Sequence, residues 1–208
     1  NNINHIHFES IDGVTISIPI SKVFDTEYGG DVILAYKMNG EELPADHGYP
    51  LRLIVPGYVG VRNLKWINKI SLESNEIDSV WQTGLSYKCV PHYIKDIKDV
   101  SLDNISPIME MPIQSCIVDI LYNEDKTKLK VKGFAWAGGG RNVIRVDVSI
   151  NNGKNWNLAK LKEGSEQKLN RAWAWTFWES EFDVNNDEYF EIVCKATDIS
   201  YNIQPETQ

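Results

Sequence analysis

Four basic side chains lie close together along the chain: His47, Arg52, Arg62 and Lys65 all fall within HGYPLRLIVPGYVGVRNLKW, residues 47–66. An apolar run, LRLIVP, leads into a glycine-rich turn, and the turn leads into the segment that carries Arg62 and Lys65. The backbone N–H groups of such a turn can bind an anion together with nearby Lys and Arg side chains. GYVGVRNLK matches neither a Walker loop nor a dinucleotide-binding fingerprint. On the residues alone, an anion site and a strand-end loop with solvated charges are both open interpretations.

The composition limits what kind of anion site this can be. The 208 residues are 42% hydrophobic and 24% charged, with a formal net charge of −8. These values indicate a folded chain of one or two domains, not a disordered or general nucleic-acid-binding protein. An anion would have to bind a local basic cluster against the repulsion of the whole chain, whereas a basic protein partner would be attracted. No apolar stretch reaches the roughly 18 residues that predict a membrane span.

The three cysteines, Cys89, Cys116 and Cys194, are odd in number and lie far apart. No metal-ligand spacing connects them, so the sequence predicts neither a disulfide scaffold nor a zinc site. Cys116 and Cys194 each interrupt a strand-like run, and we expect both to be core residues.

The elements around the basic stretch are short strands joined by long irregular connections. VILAYKMNGEELP alternates and then turns at Asn39-Gly40, which predicts a hairpin. LRLIVPG is typical of a buried strand that ends in a turn at Pro56-Gly57. The later segment SVWQTGLSYKCVPHYIKDIKD has no helical period.

From about Ser106 onward the pattern is all-β. KLKVKGFAWAG, VIRVDVSI, AWAWTFWESEF and EYFEIVCKATD are each strand-like, and a turn at residues 151–153 leads from VIRVDVSI into NWNLAKL, which we expect to continue as a strand. Short strands separated by turn signals predict a β-sandwich of immunoglobulin-like character. Such a sandwich would have a further strand after SYNIQPETQ, so we expect the sequence to be part of a longer polypeptide.

MNGEELPADHGYPLRLIVPGYVGVRNLKWINKISL closely resembles the molybdenum-cofactor domain of the sulfite oxidase family, which includes sulfite oxidases and the molybdenum domain of assimilatory nitrate reductases. SPIMEMPIQSCI, KGFAWAGGGRNVIRVDVSINNGKNW, RAWAWTFWE and CKATDISYNIQPET resemble the dimerisation domain of that family. The resemblance implies a partial α+β molybdopterin-binding domain, mostly β and loops here, over residues 1–104. An all-β immunoglobulin-like sandwich, truncated at its C-terminus, would follow over residues 105–208.

The resemblance also implies a molybdenum–molybdopterin cofactor, a pterin-dithiolene with a terminal phosphate, buried in the first domain. A buried phosphate needs paired cations and N–H donors, because an unpaired buried charge is very costly. The family motifs H-G-[FY]-P-x-R and G-x-R-x-x-K match this sequence and imply cofactor contacts for His47, Arg52, Asn63, Leu64 and Lys65.

Two further positions follow from the resemblance. FESIDG is similar to a family segment whose Asp binds the donor-rich pterin, which implies the same role for Asp12. Tyr87, in WQTGLSYK, matches a tyrosine on the substrate side, although the family usually has one residue fewer between Trp81 and that tyrosine. Its phenol would hydrogen-bond near the molybdenum oxo or hydroxo group and order the anionic substrate pocket. The family's molybdenum-ligating cysteine lies upstream of the matched region, so we expect the metal ligand outside this sequence.

The function implied by the resemblance is oxidation of sulfite to sulfate by oxygen-atom transfer at molybdenum. Electrons would pass to a heme, either in a further domain or in cytochrome c. The resemblance also implies a homodimer formed through the second domain, with a larger assembly as an alternative, and a location in the mitochondrial intermembrane space. Two alternatives remain: a nitrate reductase-type domain, and a degenerate or split relative that acts as a non-catalytic structural subunit.

Overall fold

The computed structural model describes residues 3–24, 30–91, 93–185 and 189–205. It divides the chain into two compact units, Asn1–Met111 and Pro112–Gln208, called here the first unit and the second unit. Each unit has its own cluster of buried apolar side chains. Residues 105–111 belong to the first unit.

The main sheet of the first unit has three antiparallel strands. They are β1 (His5–Ser10), β2 (Thr15–Pro19) and β7 (Ile67–Glu73), in the order β2-β1-β7. A short helix, α1 (Ile20–Phe24), follows β2. Phe8, Ile16 and Ile18 point from this sheet into the core, where Leu53 and Leu64 pack against them. The core therefore fixes the segments on either side of the glycine-rich turn.

The two strand predictions for the first unit are confirmed. β3 (Ile33–Ala35) pairs with β6 (Arg52–Ile54), and β4 (Lys37–Met38) forms a hairpin with β5 (Glu41–Glu42). Asn39 and Gly40 both have positive φ, 54° and 89°, as a two-residue hairpin turn requires. LRLIVP is buried as predicted, because Leu53 and Val55 are almost completely covered.

The C-terminal part of the first unit consists of turns and short 3₁₀ helices. These helices are Leu85–Tyr87, Ile97–Asp99 and Leu102–Asn104. Main-chain bonds from Val59 N to Met109 O and from Ile108 N to Tyr87 O tie this irregular part to itself and to the glycine-rich turn. The absence of a helical period in the sequence is thus matched by the structure.

The second unit is a sandwich of two antiparallel sheets, which confirms the immunoglobulin-like prediction. One sheet has the order β12-β13-β9-β8 and the other the order β11-β10-β14. Inward side chains of both sheets form one core around Trp178. The strands are β8 (Gln114–Tyr122), β9 (Lys128–Trp136), β10 (Val143–Ser149), β11 (Asn157–Leu158), β12 (Lys160–Leu161), β13 (Thr176–Asp183) and β14 (Val193–Asp198).

Two expectations for the second unit are corrected. NWNLAKL is not one strand: β11 pairs with β10, and β12 pairs with β13 in the opposite sheet. The chain changes sheets at Ala159, whose small side chain is buried and whose N–H donates to Val146 O at 2.8 Å. Cys116 is exposed and Cys194 only partly buried, because Cys116 lies on the outer face of the edge strand β8, opposite Phe134.

Among the helices of the described residues, none has the length and apolar character needed to cross a membrane.

Candidate functional site

The loop that carries His47 is drawn tightly against the segment that carries Lys65. A 3₁₀ turn, Ala45–His47, ends at Gly48, which has φ 109°. A Cβ at Gly48 would lie 3.0 Å from Lys65 Cβ and 3.1 Å from Arg52 Cβ. Both the left-handed backbone and the close approach require glycine here. This glycine lets the backbone of the turn that carries His47 lie against the Arg52 and Lys65 side chains, and His47, Arg52 and Lys65 are called the basic cluster below.

The two permanent cations of the basic cluster bond to carbonyl oxygens of the same turn. Arg52 Nη1 donates to His47 O at 2.9 Å, and Lys65 Nζ donates to Asp46 O at 2.8 Å. Within residues 3–24, 30–91, 93–185 and 189–205, no carboxylate forms an ion pair with either side chain. Arg52 Nε is buried, and it has no hydrogen-bond partner in the described part of the chain. The positive charge is therefore not neutralised by a carboxylate, and one buried donor is available.

Trp66 holds the turn and Lys65 together, a role that the sequence did not predict. Its indole Nε1 donates to Ala45 O at 2.7 Å, and Lys65 Nζ lies 4.2 Å from the centroid of its ring. Trp66 has φ 53°, and its carbonyl accepts from Ile11 N at 3.1 Å. The Lys-Trp pair in NLKW is the signal that could have indicated this clasp, since a cation stacked on indole is a favourable contact.

Asp12 lies at the turn between β1 and β2, next to this clasp. Its Oδ1 accepts from Val14 N at 3.2 Å. The neighbouring Ser10, the Val14 N–H and the positive charge of Lys65 lower the pKa of the Asp12 carboxyl below its usual value. The carboxylate is thus exposed, ionised and within the electrostatic reach of the basic cluster.

Asn63 and Leu64 are placed differently, with their side chains turned into the fold. Asn63 Oδ1 accepts from Val55 N at 2.7 Å and its Nδ2 donates to Val59 O at 3.1 Å, so its amide closes the glycine-rich turn. Leu64 is buried in the core, and its carbonyl accepts from Leu53 N at 2.7 Å. Their side chains shape the segment before Lys65 and do not extend the basic cluster.

Tyr87 lies in a second cluster, built around Arg62. The guanidinium carbon of Arg62 lies 5.8 Å from the centroid of the Tyr87 ring, and the Trp81 and Tyr87 rings are 6.0 Å apart. Arg62 is completely buried, and burial lowers the pKa of its guanidinium while the Glu76 carboxylate acts in the opposite direction. A fully buried arginine was not foreseen, because its acceptors come from distant parts of the sequence.

The additional residue between Trp81 and Tyr87 is accommodated in a tight turn. Gln82 N and Thr83 N both donate to Ser79 O, and Gly84 N donates to Val80 O at 3.2 Å. A Cβ at Gly84 would clash with the Val80 carbonyl. The turn therefore needs glycine. It places Tyr87 beside Arg62 even though one more residue separates Trp81 from Tyr87 than is usual in the family.

Gln82 connects this second cluster to the main sheet. It is completely buried, and its Oε1 accepts from Arg62 Nη1 at 2.7 Å and from Ser17 N at 3.3 Å. Its Nε2 donates to Glu76 Oε2 at 3.0 Å. In the Trp81-Gln82 pair, the indole therefore packs against Tyr87, and the buried amide of Gln82 accepts a hydrogen bond from Arg62.

The described residues of the chain include the basic cluster but no cluster of metal ligands. No group of His, Cys, Asp or Glu residues among them is arranged to hold a metal ion. Cys89 is exposed, and Cys116 and Cys194 belong to the second unit. The basic cluster fits the phosphate end of a molybdopterin, because its cations have only carbonyl partners and Arg52 Nε has none.

Both units of the chain match known protein families. Residues 105–208 match the family model of the Mo-co oxidoreductase dimerisation domain, and residues 1–81 match the oxidoreductase molybdopterin binding domain. The mitochondrial sulfite oxidase of Homo sapiens is 42% identical over 212 residues, which cover 98% of this chain and 38% of that protein. The sulfite oxidase of Arabidopsis thaliana is 35% identical, over 97% of this chain and 54% of that protein.

Two other relatives widen the comparison. Nitrate reductase [NADH] 2 of Arabidopsis thaliana is 32% identical over 90% of this chain and 22% of its own length. The crystal structure of the sulfane dehydrogenase SoxCD from Paracoccus pantotrophus superposes with a TM-score of 0.72 at 28% identity, covering 98% of this chain and 48% of that one. The chain thus spans well under two thirds of the length of these relatives, and it belongs to the sulfite oxidase family of molybdenum-cofactor oxidoreductases.

Proposed function

We propose that this chain is part of a molybdenum-cofactor oxidoreductase that oxidises sulfite to sulfate. The observation that carries the proposal is the basic cluster, in which Arg52 and Lys65 converge on one turn without a carboxylate partner among the described residues. A folded protein keeps such charges close together at a cost unless an anion occupies the site. The sulfite oxidases among the relatives support the choice of reaction.

The residues of the first unit would bind and orient the cofactor. His47, Arg52 and Lys65 would hold its terminal phosphate, and Asp12 would accept from N–H groups of the pterin. Asn63 and Leu64 would contribute through the backbone geometry that their side chains fix. The bound cofactor supplies oxygen-atom transfer and accepts the two electrons of sulfite.

Tyr87 would act on the substrate side. Its phenol, held between Arg62 and Trp81, can donate a hydrogen bond to an oxygen of an anionic substrate. We expect this donor to orient sulfite and to stabilise charge as it develops on the transferred oxygen.

The partners and location belong to the same proposal. The match of residues 105–208 to a dimerisation domain supports a homodimer formed through the second unit. The net charge of −8 would attract a basic heme protein such as cytochrome c as the electron acceptor. The mitochondrial sulfite oxidases among the relatives support a mitochondrial location, which we propose to be the intermembrane space.

The test is a comparison of two oxyanions with the full-length protein purified with its cofactor. Sulfite-dependent reduction of cytochrome c is expected, with little reduction of nitrate by an artificial electron donor. Nitrate is the second candidate because a nitrate reductase is among the relatives. Nitrate reduction without sulfite oxidation would replace the proposed reaction, and inactivity towards both, with no bound pterin, would favour a structural subunit.

A further inference from the structure

Arg62 joins two segments that are far apart in the sequence. Its Nη1 donates to Trp81 O at 3.0 Å and to Gln82 Oε1 at 2.7 Å, whereas its Nη2 donates to Ile108 O at 3.2 Å. A planar guanidinium can reach acceptors in two directions at once, which an ammonium cannot do with the same geometry. Arg62 is therefore the crosslink between the Trp81 turn and the strand-like segment at Ile108.

Tyr87 is held between the same two segments. Its ring lies over the Arg62 guanidinium, at 5.8 Å, and beside Trp81. Its carbonyl accepts from Ile108 N at 2.8 Å, and its N–H donates to Gly84 O at 3.1 Å. Two of these neighbours, Trp81 and Ile108, accept hydrogen bonds from Arg62 through their backbone carbonyls.

We propose that Arg62 is a positioning residue that sets the place of the Tyr87 phenol for the reaction. The inference rests on the proposed function, because it assigns Tyr87 to the substrate. Burying a guanidinium is costly, and hydrogen bonds from Nη1 and Nη2 to carbonyl and amide oxygens of the segments that flank Tyr87 offset part of this cost, while Arg62 Nε has no partner among the described residues. The Gly84 turn fixes the backbone before Tyr87, and the Arg62 guanidinium lies against the ring itself.

A double-mutant cycle on the full-length, cofactor-loaded protein tests the coupling. The variants are R62K, Y87F and the combination of both, with kcat and KM for sulfite normalised to bound molybdenum. R62K is expected to lower kcat at least about tenfold when Tyr87 is present and less than about twofold in the Y87F background, because contacting residues are not additive. R141K is the matched control: Arg141 donates to the buried Asp198 at 2.9 Å in the second unit, and its effect should be equal in both backgrounds.

Hydrogen exchange gives a second measurement that does not depend on activity. R62K should speed exchange of the amides at residues 82–88 and 108 at least about tenfold, while those at residues 45–48 keep their wild-type rates. Independent effects of R62K and Y87F, or equal acceleration across the first unit, would overturn the proposal. If the wild type does not oxidise sulfite, the proposed function fails, and unchanged exchange in R62K would then refute the positioning role separately.

Discussion

At the scale of single residues, the cations of the first unit differ in what they bond. Lys69 forms an ordinary exposed ion pair with Glu9 at 2.6 Å. Lys65 and Arg52 instead bond to backbone carbonyls, which do not cancel their charge. Arg62 is fully buried on neutral acceptors and serves the fold around Tyr87. Complete burial, not the type of acceptor, therefore distinguishes Arg62 from Arg52 and Lys65, which are only partly buried.

The phenol of Tyr58 gives a pH-dependent prediction. Burial raises the pKa of Tyr58 to about 12, and the Glu110 carboxylate adds to this effect. An unfolded tyrosine loses its proton near pH 10. Between about pH 10 and about pH 12 the native state holds a proton that the unfolded state has lost, so the free energy of unfolding falls as the pH rises.

The size of that loss follows from the shift of the pKa. We expect up to roughly 2 kcal/mol across the window, after allowing for the partial exposure of the ring. Urea unfolding of wild type and Y58F at about pH 9 and about pH 11 captures roughly half of this loss, and the variant lacks the Tyr58 contribution. An equal decline in both proteins would show that Tyr58 is not the group responsible.

At the scale of elements, the sequence patterns correctly predicted the features that depend only on neighbouring residues. The hairpin at Asn39-Gly40 and the buried strand at Leu53 follow from turn chemistry and alternation, and both are present. The change of sheet at Ala159 was missed because it depends on which strand has a free edge, not on the residues of the segment itself. Tertiary pairing overrode a locally continuous strand pattern.

In the candidate site, too, some features could be predicted from the sequence and others could not. The basic residues and their glycine-rich turn were visible in the sequence, whereas the burial of Arg62 and the amide of Gln82 were not. Their partners lie at Ser17, Glu76 and Ile108, and no local pattern brings these positions together. The sequence therefore identified the basic residues, but it did not predict that Arg62 is buried and hydrogen-bonded within the fold.

Replacing Gly48 should affect both the stability of the turn and the binding of the cofactor. G48A should lower the free energy of unfolding by about 1–2 kcal/mol, because alanine is strained at positive φ. It should also push the turn away from Lys65 and Arg52, and so weaken pterin retention. Chemical unfolding and pterin content of the same preparation measure both effects.

G40A is the control, because Gly40 also has positive φ but meets nothing within 4 Å. Equal loss of pterin in both variants would contradict a role for the close approach.

At the scale of the whole molecule, the chain consists of two units with separate cores. The first unit carries the basic cluster, and the second matches a dimerisation domain. The overall charge of −8 repels anions on average, so the basic cluster has to act locally. This contrast suits a buried cofactor phosphate better than a freely exchanging polyanion.

Asp198 tests whether the units contribute separately to stability. It is completely buried, and it accepts from Arg141 Nε at 2.9 Å and from Asn202 Nδ2 at 2.9 Å. D198A should lower the free energy of unfolding by about 3–5 kcal/mol, because it removes the buried carboxylate that accepts from Arg141 and Asn202. We expect calorimetry to show a lower transition for the second unit with unchanged pterin content. Loss of pterin in this variant would indicate that the units do not act separately.

The most direct test of the basic cluster is the pterin and molybdenum content of full-length K65A after purification, beside wild type and K69A. Lys65 is expected to contribute about 1–3 kcal/mol to cofactor affinity through its charged contact with the phosphate, a loss of roughly 5- to 150-fold in K65A. K69A removes an exposed ammonium that is paired with Glu9 and should retain as much pterin as the wild type. Depletion in K65A alone is the predicted result. Equal retention in all three proteins would contradict the assignment of this cluster to the cofactor phosphate.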